Sequence, residues 1–301
     1  MHVLVPFPVD PPDGVTVHVW ASGDLPGPDV LGAVEIHVLP YTFDPSSFAA
    51  VPSLPRLRVL QTLTAGYEHV LPHLHAGVTL CNAGGVHDDS TAELALTLML
   101  AAQRGVADFV RAQDGHRWAH AAYASLADRR VLVIGFGGVG RAIASRLAPF
   151  GCDVAPVART RRRGVFGVDD LPDLLGDAEV VVLAVPLSDT TRGMVDAEFL
   201  ARMREGALLV NVSRGPVVDT DALVAEVASG RLRAALDVTD PEPLPPRHPL
   251  WSTPGVLISP HVGGNTSAFW PRARRLVEHQ LARLASGQPA LYPVAGPTLD
   301  P

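Results

Sequence analysis

The sequence contains no lysine, and all 24 residues in its combined count of lysine and arginine are arginines. Schiff-base enzymes need a lysine amine, and a Walker-type phosphate loop needs a lysine of its own. The absence therefore excludes both chemistries in their usual form. Recognition of anions must depend on arginine side chains, backbone N–H groups and the ends of helices.

Cysteine is also scarce. Cys81 and Cys152 show no metal-ligand spacing, so they predict no metal site and favour a reducing compartment. The longest apolar run, residues 94–102, is too short to cross a bilayer. A net charge of −7 argues against a nucleic-acid or anionic-membrane partner, because either would favour a basic face. We therefore expect a cytoplasmic protein that binds neither nucleic acid nor membrane.

The pattern of apolar segments changes along the chain. In the first hundred residues, short β-rich runs alternate with proline-rich connections and weak helices. Ser90 and Glu93 then form a capping-box pattern that predicts the start of a long apolar helix. From residue 131, compact apolar strands such as VLVIG (131–135) and VVVLAV (180–185) alternate with amphipathic stretches. Such continuous hydrophobicity predicts a parallel sheet with helices on both faces.

A glycine-rich motif, GFGGVG (135–140), follows the first strand of this sheet and opens a predicted helix. Gly135 would allow a tight turn, Gly137 would let a pyrophosphate approach the backbone, and Gly140 would let the helix pack on the strand. A phosphate would then lie on the helix N-terminus. The motif predicts a dinucleotide site, and the alternative is a glycine turn that binds no ligand.

The second strand of the sheet ends without the acidic residue that would bind the ribose hydroxyls of NAD. Arg159, Thr160, Arg161, Arg162 and Arg163 stand there instead. Guanidinium groups bind a 2′-phosphate, which a carboxylate would repel, so this cluster predicts a preference for NADP(H) over NAD(H). Use of NAD(H) stays open, and so does a solvated charged loop with no role in binding.

Three further motifs follow strands of the same sheet, where an open α/β sheet binds its ligands. NVSRGPVVD (211–219), LDVTDPEP (236–243) and SPHVGGNT (259–266) deliver one arginine, one glutamate and one histidine. Together with QTLTAGYEHV (61–70) and NAGGVHDDSTAELAL (82–96), they make the chain resemble the D-isomer-specific 2-hydroxyacid dehydrogenase family. The resemblance extends over nearly the whole length and points to its NADP-preferring, glyoxylate/hydroxypyruvate reductase-like branch.

The resemblance implies a set of catalytic roles. Arg214 would bind the carboxylate and the carbonyl oxygen of the substrate, His261 would be the acid/base, and Glu242 would orient His261 and favour its charged form. These roles suit the reduction of a 2-oxo acid, because negative charge develops on the carbonyl oxygen as hydride arrives and a proton donor with a fixed cation stabilises it.

The resemblance also implies binding residues in two places. The backbone N–H groups of three expected substrate-binding residues, Thr64, Ala65 and Gly66, would hold the substrate carboxylate. Asp237 would meet the nicotinamide amide, and Thr91 would lie near the ring. The remaining expected cofactor-binding residues are Gly138, Val139, Val185, Pro186, Thr191, Val212, Ser213, His261 and Gly263.

These patterns predict an α/β protein of two Rossmann-like domains. A doubly wound dinucleotide-binding domain, residues 94–267, is inserted into a smaller flavodoxin-like substrate domain formed by residues 1–93 and 268–301. We expect an NADPH-dependent reductase of a small 2-oxo acid. The alternative is a corepressor-like protein that binds dinucleotide and acts through partners without turnover. Residues 109–118, FVRAQDGHRW, resemble the arm through which family members form homodimers by their cofactor domains; an ordinary surface helix is the other interpretation.

Overall fold

The computed structural model describes residues 1–42 and 44–297, and the chain forms two compact units. Unit 1 combines Met1–His87 with Ser267–Pro301, and unit 2 is Asp88–Thr266. The predicted domain boundaries follow residues 93 and 267. They lie six residues and one residue further along the chain than the boundaries between the two units. The first difference arises because the helix that begins at Asp88 belongs as a whole to unit 2.

Unit 1 is built on a six-stranded sheet. Its strands, numbered in chain order through the whole protein, are β1 His2–Val5, β2 Thr16–Val19, β3 Val34–Val38, β4 Val59–Gln61, β5 Thr79–Cys81 and β13 Pro293–Ala295. Its α-helices are α1 Pro28–Leu31 and α8 Phe269–Ala285. The spatial order β13-β5-β4-β3-β1-β2 places five parallel strands in the flavodoxin-like order 2-1-3-4-5, with β13 antiparallel at one edge.

Both faces of this sheet are buried. Val3 and Val5 point to one face, where they share a core with Val277 of α8. Leu4 lies between them in sequence and points to the opposite face, where it packs in a cluster with Trp20. Successive strand residues alternate between faces, so both cores require apolar residues along β1.

Unit 2 is built on a seven-stranded sheet in which every pair of neighbouring strands is parallel. Its strands are β6 Arg130–Ile134, β7 Asp153–Ala158, β8 Phe166–Gly167, β9 Val180–Leu183, β10 Leu208–Asn211, β11 Arg233–Leu236 and β12 Val256–Ile258. Its helices are α2 Asp88–Arg104, α3 Val106–Asp114, α4 Gly138–Leu147, α5 Leu171–Leu175, α6 Ala197–Arg202 and α7 Thr220–Ala228.

The spatial order β12-β11-β10-β9-β6-β7-β8 reverses direction between β6 and β9. Ligands bind at such a switch point, at the carboxyl ends of the strands. Val131 and Val133 contribute to the core on one face, and Leu132 and Ile134 to the core on the other. The sheet is therefore doubly wound, and the predicted α/β fold class is confirmed.

The capping box predicted at Ser90 and Glu93 is wrong. Helix α2 begins at Asp88, so Ser90 lies inside its first turn, and its Oγ is 2.8 Å from Oγ1 of Thr266. Asp88 and Asp89 occupy the helix start, where carboxylates interact favourably with the helix dipole. Within the described residues, no helix has both the length and the apolar character that spanning a membrane requires.

Candidate active site

The three predicted catalytic side chains follow three adjacent strands of the unit 2 sheet. Arg214 follows β10, Glu242 follows β11, and His261 follows β12. All three strands run in the same direction, so these residues leave the sheet at one edge. The same edge carries the glycine loop after β6.

His261 and Glu242 form the central contact. Nδ1 of His261 lies 2.5 Å from Oε1 of Glu242, and the two side chains are 29% and 39% exposed. With Nδ1–H donating to the carboxylate, Nε2 is the ring nitrogen that can exchange a proton with a substrate. The carboxylate thereby fixes both the tautomer and the orientation of the ring.

The backbone of His261 is held in an uncommon conformation. Its φ of +52° lies in the left-handed region, which a side chain other than glycine rarely adopts. The His261 N–H donates to the carbonyl oxygen of Asp237 at 2.8 Å. Such strain persists where surrounding contacts over-determine it, and it is concentrated at functional sites.

The carboxylate of Asp237 accepts hydrogen bonds from the loop of residues 259–263, which carries His261 and is called the histidine loop below. It is buried, with the residue 3% exposed, and Oδ1 accepts hydrogen bonds from Ser259 Oγ at 2.6 Å and from Val262 N at 2.9 Å. Oδ2 accepts from Gly263 N at 2.9 Å. Sequence reasoning assigned Asp237 to the nicotinamide amide and missed this supporting role, because no local pattern links residue 237 to residues 259–263.

Arg214 lies on a turn that a buried asparagine organises. Asn211 Nδ2 donates to the carbonyl oxygen of Arg214 at 3.0 Å, and Asn211 Oδ1 accepts from Ser213 N and Oγ at 3.0 and 2.7 Å. A Cβ atom at Gly215 would overlap the carbonyl oxygen of Thr239. The Arg214 turn therefore packs directly against the segment that leads to Glu242.

The glycines of the GFGGVG loop have distinct surroundings. Gly135 has φ +97°, and a Cβ atom there would overlap the carbonyl oxygen of Ala184. A Cβ atom at Gly140 would overlap the carbonyl oxygen of Gly135, whereas a Cβ atom at Gly137 would have nothing within 4 Å. Gly137 thus faces open space at the N-terminus of α4. This arrangement fits a dinucleotide pyrophosphate, which needs close access to backbone N–H groups at a helix start.

Two acidic residues of α2 lie against α4, and sequence reasoning missed both contacts. A Cβ atom at Gly138 would overlap Oδ2 of Asp88, and Asp89 Oδ1 accepts from Arg146 Nη2 at 2.6 Å. The members of these pairs are 50 and 57 residues apart in sequence, so no short-range pattern reveals them. They fix both ends of α4 relative to the start of α2.

The arginines after β7 are in different environments. Arg161 forms an ion pair with Asp170, whose second oxygen accepts from Gly167 N at 2.8 Å. The Gly167 hydrogen bond, followed by Arg161, lowers the pKa of Asp170 below its usual value. Arg162 lies over the ring of Phe136, 6.0 Å from its centroid.

Arg159 is exposed directly after β7 and, like Arg163, forms no hydrogen bond or ion pair with residues 1–42 or 44–297. The neighbouring Thr160 is exposed as well. Of the predicted phosphate-binding residues, the structure therefore leaves Arg159 available to a ligand and uses Arg161 to hold its own loop.

Other predicted cofactor residues are close to these loops. Position 263 brings Thr91 and Asp237 together, since a Cβ atom there would lie 3.4 Å from Thr91 Oγ1 and 3.0 Å from Asp237 Oδ2. Thr191 Oγ1 donates to the carbonyl oxygen of Pro186 at 2.6 Å and closes the turn after β9. The remaining members of the set, at the start of α4 and at the ends of β9 and β10, are Val139, Val185, Val212 and Ser213.

The predicted substrate loop lies in unit 1, after β4. Thr64 O accepts from Thr62 Oγ1 at 2.9 Å, Ala65 O accepts from Asn82 Nδ2 at 2.7 Å, and Gly66 O accepts from Thr64 Oγ1 at 2.7 Å. The backbone N–H groups of residues 64–66 donate to no other group in the described part of the chain. The carbonyl groups are thus used internally, and the N–H groups can bind an anion.

Comparison with known proteins identifies the family. The family model for the NAD binding domain of D-isomer specific 2-hydroxyacid dehydrogenases matches residues 96–263, more than half of the chain. The chain belongs to this family. The glyoxylate reductase/hydroxypyruvate reductase of Mus musculus is 34% identical over 225 residues, which cover 70% of this chain and 68% of the relative.

Two solved structures of D-2-hydroxyacid dehydrogenases resemble nearly the whole chain. The enzyme from Xanthobacter autotrophicus Py2, in complex with NADPH and MES, has 31% identity and a TM-score of 0.81, and covers 97% of each chain. The NADPH-dependent glyoxylate/hydroxypyruvate reductase of Sinorhizobium meliloti, in complex with NADP and sulfate, has 26% identity and a TM-score of 0.81, and covers 97% of this chain and 98% of that one.

Membership of the family confirms three predictions. The protein is a D-2-hydroxyacid dehydrogenase, it has the two-sheet α/β fold of that family, and its cofactor is a nicotinamide dinucleotide.

Proposed function

We propose that this dehydrogenase reduces a small 2-oxo acid to the D-2-hydroxy acid with NADPH. In this proposal unit 2 binds the cofactor and carries the catalytic residues. The observation that carries the proposal is the 2.5 Å contact between His261 Nδ1 and Glu242 Oε1. These residues follow β12 and β11, and Arg214 follows the adjacent strand β10.

The catalytic residues divide the work of reduction. When bound, the reduced nicotinamide supplies a hydride to the carbonyl carbon of the substrate. His261 donates a proton from Nε2 to the carbonyl oxygen, and Glu242 stabilises the charge of the imidazolium through Nδ1–H. Arg214 binds the substrate carboxylate and stabilises the negative charge on the carbonyl oxygen. In the reverse direction, neutral His261 accepts the hydroxyl proton.

The substrate carboxylate has a second set of candidate donors in unit 1. The N–H groups of Thr64, Ala65 and Gly66 bind no internal acceptor in the described residues, and their carbonyl groups are fixed by side chains. Backbone N–H groups held in this way form an anion-binding concavity. This loop would recognise the carboxylate that all 2-oxo acids share, whatever side chain they carry.

The preference for NADP(H) rests on the loop after β7. Exposed Arg159 stands where an NAD-specific site has a carboxylate, and no acidic residue takes its place within residues 157–163. The similar structures from Xanthobacter autotrophicus and Sinorhizobium meliloti contain NADPH and NADP, respectively. These observations support a guanidinium contact with the 2′-phosphate.

A substrate panel tests the proposed function directly. Oxidation of NADPH and of NADH is followed with glyoxylate, hydroxypyruvate and larger 2-oxo acids, and we expect turnover with at least one acid and a higher kcat/KM with NADPH. Equal use of the two cofactors would contradict the preference. Tight binding of NADPH without turnover of any acid would favour the corepressor-like alternative.

We also propose that the enzyme forms a homodimer through unit 2. The predicted arm begins in α3, where Phe109 and Val110 are 42% and 53% exposed, and it ends at Trp118, which is 97% exposed. Exposed apolar side chains concentrated in one segment are typical of an interaction surface. Light scattering that gives the mass of a monomer would contradict the proposal. The cytoplasmic location stays a prediction.

A further inference from the structure

A small pocket opens at the edge of the unit 2 sheet opposite the glycine loop. Its volume is about 170 Å³, which is less than that of a pocket for a drug-sized ligand. Five chain segments form it: the end of α2, the segment before β6, the residue before β9, the turn before β10 and the start of β11. The lining residues that matter here are Gln103, Arg129, Glu179, Arg204, Glu205 and Arg233.

Three guanidinium groups line this pocket, and two of them, those of Arg129 and Arg204, share the carboxylate of Glu179. Glu179 accepts from Arg129 Nη1 and lies 3.5 Å from Arg204 Nη1. Glu179 is mostly buried and lies between these two arginines. Burial raises its pKa, but the hydrogen bonds from Arg129 and from the Arg130 backbone N–H, together with the charges of Arg129 and Arg204, outweigh burial and lower the pKa below its usual value. Glu205 also lines the pocket, but it is exposed and forms no ion pair with any described residue.

Arg233 differs from the other two arginines because its guanidinium group donates to neutral acceptors within the described residues. Nη2 donates to Gln103 Oε1 at 2.7 Å, Nη1 donates to the carbonyl oxygen of Ala102 at 3.3 Å, and Nε donates to that of Gly206 at 3.4 Å. Burial, followed by the charge of Arg129, lowers the pKa of Arg233 below its usual value. A partly buried cation that faces a like charge and neutral acceptors lacks a counter-charge.

We propose that this pocket is a binding site for a small multiply charged oxyanion of the phosphate class. The pocket is lined by three positive charges, those of Arg129, Arg204 and Arg233. Two negative charges oppose them, one on the fixed Glu179 and one on the exposed Glu205, so the site keeps a net positive charge. A planar guanidinium group can donate two parallel hydrogen bonds to the oxygens of one phosphate. The volume of the pocket admits a free phosphate or one phosphoryl group. The anion would supply the counter-charge that Arg233 lacks and would link the five segments around the pocket.

The site is separate from the cofactor loops. Arg233 begins β11, whereas Asp237 follows its end, so about 13 Å of extended strand lies between the pocket and the histidine loop. Pocket residues therefore do not take part in the proposed reduction. An anion bound there would act on the enzyme through the stability of the unit 2 sheet.

Thermal unfolding with inorganic phosphate tests the site. Phosphate is titrated against sodium chloride at matched ionic strength, with saturating NADPH in every sample so that the glycine loop is occupied. We expect a saturable rise in the unfolding midpoint, reduced by at least half in Arg233→Gln and in Arg204→Gln. Arg56→Gln, the same charge change at an exposed position of unit 1, should keep the full rise.

Arg204→Gln keeps the test valid if Arg233→Gln does not fold, because the Arg204 side chain is 54% exposed and forms only one long ion pair with the described residues. An equal phosphate-dependent rise in both pocket variants and the unaltered enzyme would overturn the proposal. In a second measurement, the side-chain Nε–H signals of ¹⁵N-arginine-labelled enzyme are followed by NMR. Those of Arg129, Arg204 and Arg233 should shift together, and a titration that leaves all three unmoved would also overturn it.

Discussion

Glu242 Oε1 lies 2.5 Å from Nδ1 of His261, although the two residues leave the sheet from different strands. Both side chains are partly exposed, so their geometry depends on the loops that carry them. One loop is a proline-rich segment after β11, and the other is held by hydrogen bonds to Asp237. The pair thus depends on three separate parts of the chain.

The first prediction concerns this pair. Replacing Glu242 with Gln removes the charge that stabilises protonated His261, and we expect kcat to fall on the order of 10²-fold, as for loss of general acid–base catalysis. The dissociation constant for NADPH, measured by fluorescence, should stay unchanged. Glu198→Gln, at an exposed position of α6, is the control and should retain full activity. Unchanged kcat in Glu242→Gln would contradict the assignment.

The second prediction concerns Asp237. In Asp237→Asn one carboxylate oxygen becomes an NH₂ donor that faces the N–H of Val262 or the N–H of Gly263, so at least one buried hydrogen bond is lost. We expect the free energy of unfolding to fall by about 1–3 kcal/mol and kcat to fall with it. Urea denaturation measures the first effect. Asp10→Asn, at an exposed site in unit 1, should change neither, and equal effects of the two variants would rule out a positioning role.

The third prediction compares two glycines of one loop. Gly140→Ala places a methyl group against the carbonyl oxygen of Gly135, so it should destabilise the fold, as overpacking does, by about 1–3 kcal/mol. Gly137→Ala meets nothing within 4 Å, so the unfolding midpoint should change little while NADPH binds at least tenfold more weakly. Unfolding curves and cofactor titrations on both variants separate the effects. Normal NADPH affinity in Gly137→Ala would mean that phosphates do not approach this glycine.

The fourth prediction separates the arginines after β7. Arg159→Gln should raise KM for NADPH at least tenfold and leave KM for NADH nearly unchanged, because the lost contact is with the 2′-phosphate alone. Arg161→Gln removes the ion pair with Asp170 and should have the smaller effect on KM for NADPH. Steady-state kinetics with both cofactors provides the measurement. A larger effect from Arg161 than from Arg159 would reverse the proposed roles.

The fifth prediction concerns the pH dependence of stability. His37 is fully buried in unit 1, its Nδ1 lies 3.2 Å from the carbonyl oxygen of Leu4, and burial lowers its pKa from 6.5 to about 4. Between these values the unfolded chain binds a proton that the folded chain excludes. The contribution of His37 to the free energy of unfolding is therefore complete above pH 6.5 and is lost as pH falls to 4. The total loss is on the order of 3 kcal/mol.

Denaturation at pH 7.5 and pH 5 should show a smaller loss of stability in His37→Phe than in the unaltered enzyme. His75→Phe, at an exposed position of the same unit, should keep the original dependence. The same pH dependence in His37→Phe and the unaltered enzyme would show that His37 does not cause the acid sensitivity.

The sequence alone determined the fold class and the main motifs because these are local patterns. Continuous apolar runs specified the buried parallel strands, and GFGGVG identified the strand-to-helix turn. Strands β8 and β13 were not predicted, since they have two and three residues and stand in no longer apolar run. Pro156 has no N–H to donate to a neighbouring strand, yet it fits in β7 because β8 pairs only with Val157 and Ala158.

Tertiary structure alone decided which polar groups meet across long stretches of sequence. The contacts of Asp237 with the histidine loop, of Arg161 with Asp170 and of Asp88 with Gly138 join segments with no shared period or motif. The oxyanion pocket is a stronger case, because five segments meet there only after the sheet has formed. A sequence shows which side chains can carry charge, but the pairing of each charge depends on burial and distance, which the folded chain sets.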